Sequence, residues 1–270
     1  MGILNVTPDS FSEPGRWSGE EEMPSAVCAT RVSDALEMVA AGATIIDIGG
    51  ESTRPGSTPV GVDEELARVI PVITQLAQRT HRPISIDTSK PEVMRAAVAA
   101  GAGLINDVWA LRRPGALESA AELGVPVCLM HMQGEPGTMQ HTPRYRDVVA
   151  EVADFFAHRI ATCEAAGLPR QRLLLDPGFG FGKTLEHNLQ LLHNLELFTH
   201  FGLPLLVGLS RKSMIGALLN GAAVEQRLYG SIAAALSAVQ HGATILRVHD
   251  VRPSVEALTI YCALKGDLRR

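Results

Sequence analysis

The sequence predicts a (β/α)8 TIM barrel, because short apolar runs and amphipathic stretches alternate along the whole chain. The apolar runs lie at 2–6, 44–48, 83–87, 103–108, 125–131, 172–176, 204–209 and 244–249. Such continuous apolar runs are typical of parallel strands that are buried on both faces. Eight strand–helix units in a chain of 270 residues match the usual size of this α/β barrel, and we predict one domain over 1–270.

Helices are predicted between the runs because apolar residues there recur at spacings of three and four. The clearest stretches are 25–41, 63–79, 145–166 and 224–240. Glycines stand where helix C-caps belong, at Gly42, Gly101, Gly124, Gly167, Gly202 and Gly242. The alternative fold, an open doubly wound sheet, usually carries a GxGxxG turn after its first strand. Here Thr-Pro-Asp-Ser follows that strand, which disfavours the open sheet.

The longest insertions follow the first two strands, at 7–24 and 49–61, and both are rich in Gly, Pro and Ser. Loops at this position in a barrel lie over the catalytic face. We therefore expect two mobile lids that exclude water during the reaction.

Composition and charge exclude several classes of function. The formal net charge of −5 leaves no general basic surface for nucleic acid, so any anion site must be local. Four cysteines, Cys28, Cys128, Cys163 and Cys262, form neither a C-x-x-C pair nor a zinc spacing, which predicts reduced thiols. No apolar run approaches the ~20 residues of a membrane span, and the start of the sequence lacks the pattern of a signal peptide. We expect a cytoplasmic protein without membrane contact.

A polar residue closes each predicted strand, at the position where barrels carry their chemistry. These residues are Asn5, Asp47, Asp87, Asn106 with Asp107, His131, Asp176, Ser210 and His249. Burying such groups costs about 1–3 kcal/mol each unless they find a partner, so a barrel used only as a scaffold has no reason to carry them. Their common position predicts an active site at this end of the barrel.

Several of these residues also allow a structural interpretation. Asp47 precedes Ile-Gly-Gly, where its side chain could cap a turn. Only one of the neighbours Asn106 and Asp107 can face the barrel axis. His131 is also consistent with a hydrogen-bonded histidine of the core.

Two chemically different groups stand out at the strand ends. Asp87, Asn106 and Asp176 form an acceptor-rich set that suits a flat heterocycle with several N–H donors on one edge. The cationic group comprises Arg54, Arg211, Lys212, Arg247 and His249. Phosphate sites in barrels are often built from the loops after strands seven and eight. Together the two groups predict a ligand in which a heterocycle carries phosphate.

The glycine-rich segment 178–183 resembles a phosphate-binding loop but lacks the spacing G-x-x-x-x-G-K-[ST]. We therefore exclude a nucleoside triphosphatase. The segment is interpreted as a tight loop after strand six that exposes Phe181 for stacking.

Eight motifs, in order along nearly the whole chain, closely resemble those of the bacterial dihydropteroate synthase family. They lie at 1–12, 47–56, 84–90, 105–107, 130–134, 175–183, 208–213 and 247–250. The resemblance implies a transferase of folate biosynthesis that joins p-aminobenzoate to 6-hydroxymethyl-7,8-dihydropterin pyrophosphate and releases pyrophosphate. It also implies Mg²⁺ as cofactor, competition by sulfonamides and a homodimer formed through the last helices.

The same motifs imply roles for individual residues. The implied catalytic residues are Asp87, Asp176, Lys212, Arg247 and His249. The pterin would be held by Asp87, Asn106, Asp176 and Lys212, in a pocket shaped by Met130, Phe181 and Gly208. Mg²⁺ would bind Asn5, and the pyrophosphate would meet Thr53, Arg54, Arg247, Val248 and His249. The p-aminobenzoate site would be lined by Phe11, Pro55, Phe181, Lys212 and Ser213.

The sequence departs from the family in its first loop and beside strand four. Residues 12–15 read Ser-Glu-Pro-Gly where Ser-Asp-Gly-Gly is common, and an acidic stretch follows at 19–22. We expect closure of this loop and its response to inhibitors to differ from the family. Trp109 stands where a small or basic residue is common.

Two rival functions stay open at this point. A methyltransferase that passes a methyl group from a folate to a corrinoid shares the barrel and the pterin carboxylates, but it would not need the loop at 52–55 or the anion site at 247–249. A non-catalytic pterin-binding module would lack the anion ligands. Release of pyrophosphate distinguishes all three functions.

Overall fold

The structure is a computed structural model that describes residues 1–7, 23–52, 58–135 and 137–266. Eight short parallel strands alternate with helices along these residues, which confirms the predicted order of elements. The strands are β1 (Gly2–Asn5), β2 (Ile46–Gly49), β3 (Ile84–Asp87), β4 (Leu104–Asp107), β5 (Val127–Met130), β6 (Leu173–Asp176), β7 (Leu206–Val207) and β8 (Ile245–Leu246). Each overlaps a predicted apolar run.

The strands follow one another around a barrel. β1 to β6 pair in sequence order in one sheet, and β7 pairs with β8. Isolated parallel bridges connect the two sheets, between Leu175 and Leu205 on one side and between Gly2 and Val248 on the other. The fold is therefore the predicted (β/α)8 barrel rather than an open doubly wound sheet.

Helices cover the outer faces of the strands. They are α1 (Ser25–Ala40), α2 (Val62–Ala77), α3 (Pro91–Ala100), α4 (Ala116–Leu123), α5 (Val148–Ala165), α6 (Leu185–His193), α7 (Ser213–Leu218), α8 (Leu228–Gln240) and α9 (Val251–Leu264). The single helix predicted over 224–240 is wrong in its first turn, because Val224–Gln226 is a short 3-10 helix and α8 begins after it.

Helix ends follow local chemistry. α5 begins later than the predicted residue 145 because the Asp147 carboxylate accepts hydrogen bonds from the backbone N–H groups of Val149 and Ala150. The predicted C-cap glycines all have positive φ, which residues with a side chain rarely adopt. They are Gly42, Gly101, Gly124, Gly167, Gly202 and Gly242.

An apolar plug fills the lower part of the barrel and supports the polar strand ends above it. The plug consists of Met1, Leu104, Cys128, Leu174 and Leu206. Alternate residues of a strand face the same side. Asn106 and Asp176, two positions after Leu104 and Leu174, therefore point into the barrel directly above the plug.

All four cysteines are free thiols, and Cys28, Cys128 and Cys163 are buried. Among the described residues no helix is both long and apolar enough to cross a membrane. The two predicted lids fall largely on 8–22 and 53–57, which lie outside the described residues, so their predicted mobility stays a prediction.

Candidate active site at the strand ends

The register of the sheet brings the predicted site residues of neighbouring strands to the same height along the barrel axis. Asn5 pairs with Gly49, Gly49 pairs with Asp87, and Asp87 pairs with Asn106. Because all strands are parallel, these residues meet at the C-terminal end of the barrel. The described residues of the predicted site therefore lie together at one end of the barrel, and their function stays a prediction.

Arg247 joins the acidic group directly. Its Nε donates to Asp47 Oδ2 at 2.6 Å, and a terminal nitrogen donates to Asp87 Oδ2 at 2.6 Å. Asn106 donates to the same Asp47 oxygen at 3.2 Å. Acidic and basic groups thus open into the same region, as the sequence-based hypothesis required.

Burial sets the proton affinities in this cluster. Burial raises the pKa of Asp87 to about 7, and Arg247 opposes that shift. Burial also opposes the charged form of Arg247, but Asp47 and Asp87 outweigh it, so the pKa of Arg247 is raised. The cluster therefore holds a permanent cation beside a carboxyl group that titrates near neutral pH.

Asp176 and Lys212 form the second half of the site. Asp176 accepts the backbone N–H of Gly178 at 2.8 Å, and burial raises the pKa of Asp176 while Lys212 opposes the rise. Burial lowers the pKa of Lys212 to about 8, against the attraction of Asp176. Lys212 Nζ donates to the carbonyl of Phe179 and lies 4.5 Å from the centre of the Phe181 ring.

The glycine-rich loop is folded around a buried lysine. Lys183 Nζ donates to the carbonyls of Gly178 and Phe181 at 3.0 Å each, and it lies 2.9 Å from His131 Nδ1. A Cβ on Gly178 would stand 1.9 Å from the carbonyl oxygen of His131, so the loop packs against the end of β5. Lys183 therefore has its donors occupied by the fold, and the exclusion of a phosphate loop agrees with this geometry.

His131 takes the structural role that the sequence left open. Its side chain is buried against Phe155, with ring centroids 4.9 Å apart. Burial and the neighbouring Lys183 lower the pKa of His131 to about 2, so the ring stays neutral. Phe181 is half-buried in an apolar cluster with Met130, which differs from the exposed ring that the sequence predicted.

Of the neighbours Asn106 and Asp107, Asp107 holds a turn, whereas Asn106 contacts the acidic cluster through Asp47. The Asp107 carboxylate accepts the backbone N–H groups of Trp109 and Leu111 at 2.8 and 2.7 Å. Those bonds hold a turn in which Leu111 has a φ of 58°. Burial raises the pKa of Asp107 to about 6.

His249 and Asn5 line one cavity of about 760 Å³ between β1, α1 and α9. Ser210 Oγ accepts the His249 backbone N–H at 3.2 Å and lies 3.0 Å from His249 Nδ1. Val248 is buried, and its backbone bonds β1 through Met1 and Ile3. Asn5 and His249 therefore lie close to each other, and their joint assignment to metal and pyrophosphate stays a prediction.

Arg211 departs from the predicted cationic group. Its guanidinium pairs with Asp250, with Nε donating to Oδ2 at 2.9 Å. The charge of Arg211 is therefore already compensated within the fold. Its sequence neighbours Lys212 and Ser213 lie at the start of α7.

The remaining assigned residues divide into two sets. Gly208 lies next to Arg247. A Cβ added to this glycine would stand 3.9 Å from Cβ of Arg247. Phe11, Thr53, Arg54 and Pro55 lie outside the described residues. Their assigned roles stay predictions.

No group of three or more His, Cys, Asp or Glu side chains in the described ranges could hold a metal ion. Asn5 offers a single amide oxygen, half-buried at the end of β1. A hard ion such as Mg²⁺ accepts one protein oxygen when phosphate oxygens and waters fill its other positions. The residues present therefore fit an ion that arrives with a polyphosphate.

Sequence reasoning undervalued Asp47 and missed an ion cluster behind the second loop. Asp47 is fully buried at the centre of the Arg247 cluster. Its only signal in the sequence was a polar residue between the apolar residues of β2. Lys90 Nζ donates to both Glu51 and Glu65, and Glu65 is fully buried on α2. A glutamate on an amphipathic helix suggests a solvated face, so nothing in the local pattern marked this pair.

Comparisons with known proteins agree with this geometry. The family model described as "Pterin binding enzyme" matches residues 1–249. A dihydropteroate synthase of Escherichia coli K12 is 58% identical over 260 residues, which cover 96% of this chain and 89% of the relative.

Solved structures show the same likeness in three dimensions. The dihydropteroate synthase of Yersinia pestis in a sulfonamide drug complex superposes with a TM-score of 0.91 at 54% identity, covering 98% of this chain and 94% of that one. The enzyme of Xanthomonas albilineans in complex with 7,8-dihydropteroate gives 0.87 at 51% identity, covering 98% and 93%. The chain therefore belongs to the pterin-binding enzyme family and, within it, to the bacterial dihydropteroate synthases.

Proposed function

We propose that this chain condenses 6-hydroxymethyl-7,8-dihydropterin pyrophosphate with p-aminobenzoate to give 7,8-dihydropteroate and pyrophosphate. The observation that carries the proposal is the contact of Arg247 with both Asp47 and Asp87 at the strand ends. A ligand that meets carboxylates with its ring and cations with its phosphates fits this arrangement. The enzyme is a transferase of folate biosynthesis, and we propose that all of 1–270 forms one domain around the site.

The pterin ring is assigned to Asp87, Asn106, Asp176 and Lys212. A 2-amino-4-oxo ring presents several N–H donors along one edge, and a carboxylate accepts two such bonds in parallel. Asp47 adds an acceptor, because its Oδ1 is buried without a hydrogen-bond partner in the described part of the chain. Met130, Phe181 and Gly208 are assigned to the walls, where Met130 and Phe181 share an apolar cluster.

The pyrophosphate is assigned to Arg247, Val248 and His249, with Thr53 and Arg54 from the second loop. Arg247 uses Nε and one terminal nitrogen for Asp47 and Asp87, and we assign its other terminal nitrogen to the leaving group. Mg²⁺ is assigned to Asn5, which shares a cavity with His249. The ion would supply Lewis-acid stabilisation of the negative charge on the departing pyrophosphate.

Catalysis in this site rests on charge placement. The C–O bond between the pterin methylene and pyrophosphate breaks, its electron pair leaves with pyrophosphate, and Arg247 and His249 stabilise the charge that develops. Asp87 and Asp176 stabilise the cationic pterin methylene that results. The amine of p-aminobenzoate attacks this carbon and then loses a proton, so no side-chain nucleophile is needed.

The second substrate is assigned to the mouth of the pocket, at Phe181, Lys212 and Ser213, with Phe11 and Pro55 from the first two loops. Lys212 Nζ lies 4.5 Å from the Phe181 ring centre, which places a cation and an aromatic face side by side for an aromatic acid. Sulfonamides resemble p-aminobenzoate in shape and charge, so we expect them to compete for this position.

A homodimer through the last helices is part of the proposal. Apolar side chains stand exposed on and near α7, α8 and α9: Leu218, Leu219, Val224, Tyr229, Ile260 and Leu264. Tyr229 and Leu264 are 82% and 83% exposed, and exposed apolar side chains along α7, α8 and α9 favour an interface on this side of the barrel. Free buried thiols favour a reducing compartment, and we propose the cytoplasm.

The decisive experiment mixes the enzyme with both substrates and Mg²⁺ and measures pyrophosphate and dihydropteroate together. The proposed function requires that both form when both substrates are present and that dihydropteroate does not form without p-aminobenzoate. A corrinoid methyltransferase or a pterin-binding module would release no pyrophosphate. Such a result with folded protein contradicts the proposal.

A further inference from the structure

The turn after β7 contains an arginine in a backbone conformation that favours glycine. Lys212 N–H donates to the Leu209 carbonyl at 3.3 Å, so residues 209–212 form a turn with Arg211 in its third position. Arg211 has a φ of 59°. Turns with positive φ at this position usually place Gly or Asn there, because a Cβ is disfavoured. An arginine here indicates that its side chain has a task that glycine cannot perform.

That side chain reaches the loop after β8. Arg211 Nε donates to Asp250 Oδ2 at 2.9 Å, and a terminal nitrogen of Arg211 donates to Asp250 Oδ1. Asp250 is the N-cap residue of α9, but its carboxylate makes no hydrogen bond to the helix. Aspartate at an N-cap normally accepts such a bond. The carboxylate is instead directed to Arg211.

The other central residue of the turn contacts the same loop. Ser210 Oγ accepts the backbone N–H of His249 at 3.2 Å. Both central residues of the turn therefore hold consecutive residues after β8, and we call the four residues Ser210, Arg211, His249 and Asp250 the turn clamp.

The backbone of the turn is also held from behind. Arg211 N–H donates to Ser231 Oγ at 2.9 Å, and Arg227 donates to the Arg211 carbonyl at 3.0 Å. These bonds hold the backbone of Arg211 against the start of α8, and the ion pair with Asp250 ties the same residue, next to Lys212, to the loop after β8.

We propose that Arg211 and Asp250 are positioning residues whose ion pair fixes Lys212 relative to His249. A bidentate arginine–carboxylate pair fixes orientation as well as distance. Because the proposed function assigns Lys212 to the pterin and His249 to pyrophosphate, this inference rests on it. The clamp then sets the spacing between the two halves of one substrate.

Two single variants and their combination test the clamp. Asp250→Asn keeps the size of the side chain and its ability to cap α9, and Arg211→Gly fits the positive φ without strain. Each is expected to lower kcat/KM by about 10- to 100-fold through misplacement of bound groups, and to raise KM for the pterin pyrophosphate. The double variant should be no worse than the more impaired single variant, because both substitutions break one interaction.

A matched control removes an ion pair elsewhere. Glu164→Gln breaks the 3.7 Å pair with Arg170, which lies in the connection between α5 and β6, at the opposite end of the barrel from the site. This variant should keep wild-type KM and kcat. Thermal melting of all variants reports folding separately.

Three outcomes separate the explanations. Unchanged KM in both clamp variants, with kcat falling only as the folded fraction falls, would show a structural role and overturn the inference. Effects that multiply in the double variant would also overturn it. A folded wild-type enzyme that releases no pyrophosphate contradicts the proposed function instead, whereas wild-type release with unaltered variants contradicts the clamp alone.

Discussion

Two lysines follow neighbouring strands, one buried (Lys183) and one half-buried (Lys212), and their surroundings differ in a way that separates scaffold from site. Lys183, after β6, donates to the carbonyls of Gly178 and Phe181 and contacts His131. Lys212, after β7, bonds the Phe179 carbonyl and faces an aromatic ring. Groups of the fold accept the hydrogen bonds of the Lys183 ammonium, whereas the Lys212 ammonium keeps N–H donors for a ligand. A lysine in a glycine- or serine-rich motif is thus identified by the acceptors around it, not by the motif.

The largest effect is expected from Lys183→Met, and it should be on folding. Methionine leaves the carbonyls of Gly178 and Phe181 without their donor, and each unsatisfied buried group costs about 1–3 kcal/mol. We expect the free energy of unfolding, measured by urea denaturation, to fall by about 3 kcal/mol or more. The same substitution at Lys212 is the control. It should cost less stability, because Lys212 is only half-buried and donates to one carbonyl rather than to two. Equal losses in the two variants would break the comparison.

Lys212→Met should instead remove activity from a folded protein. Loss of a charged hydrogen bond to bound pterin is expected to lower kcat/KM by about 10- to 100-fold or more, and Asp176→Asn should act in the same way. Steady-state assays of pyrophosphate release on protein with a wild-type circular dichroism spectrum check this. Wild-type rates in both variants would remove Lys212 and Asp176 from the site.

The titration of Lys212 sharpens the contrast further. Its pKa of about 8 and that of Asp87 at about 7 predict a bell-shaped profile of kcat/KM against pH with limbs near these values. Lys212→Arg keeps its charge, so its residual activity should lose the alkaline limb. Above pH 8, where activity is expected to fall, the contribution of Lys212 to the free energy of unfolding is expected to rise. Between about 8 and the ordinary 10.5, the unfolded state binds more protons at Lys212 than the native state, so its contribution to the unfolding free energy rises with pH. An alkaline limb that persists in the arginine variant would exclude Lys212 as its source.

The sequence predicted the architecture well because the strands and helices of a barrel repeat along the chain, and each leaves a local pattern of apolar residues. Eight apolar runs closed by polar residues sufficed to predict the fold and to place Asp87, Asn106 and Asp176 at one end of the barrel. Pairwise geometry across the barrel could not be predicted in this way. Arg247 and Asp47 are 200 positions apart in the chain, and only the ring of strands brings them together.

Partner choice was likewise hidden from the sequence. Arg211 and Lys212 are adjacent basic residues in one motif, yet one pairs with Asp250 and the other bonds the Phe179 carbonyl and is attracted by Asp176. The two residues also differ in backbone conformation, with a φ of 59° at Arg211 and −67° at Lys212. No periodicity signals a single backbone angle, so the sequence grouped both residues as anion ligands.

The smallest expected effect, from Gly180→Ala, tests whether the two lysines communicate. Gly180 belongs to the loop wrapped around Lys183, and a Cβ on it would lie 3.2 Å from Cδ of Lys212. Its φ of 79° disfavours alanine by about 1 kcal/mol, and Lys212 must also shift, so kcat/KM should fall while unfolding free energy drops by about that amount. Gly124→Ala is the matched control, because φ there is 62° and no atom lies within 4 Å of the added Cβ. It should lose similar stability and keep wild-type activity. If both variants keep wild-type kcat/KM, the loop that Lys183 organises does not position Lys212, and scaffold and site are independent here.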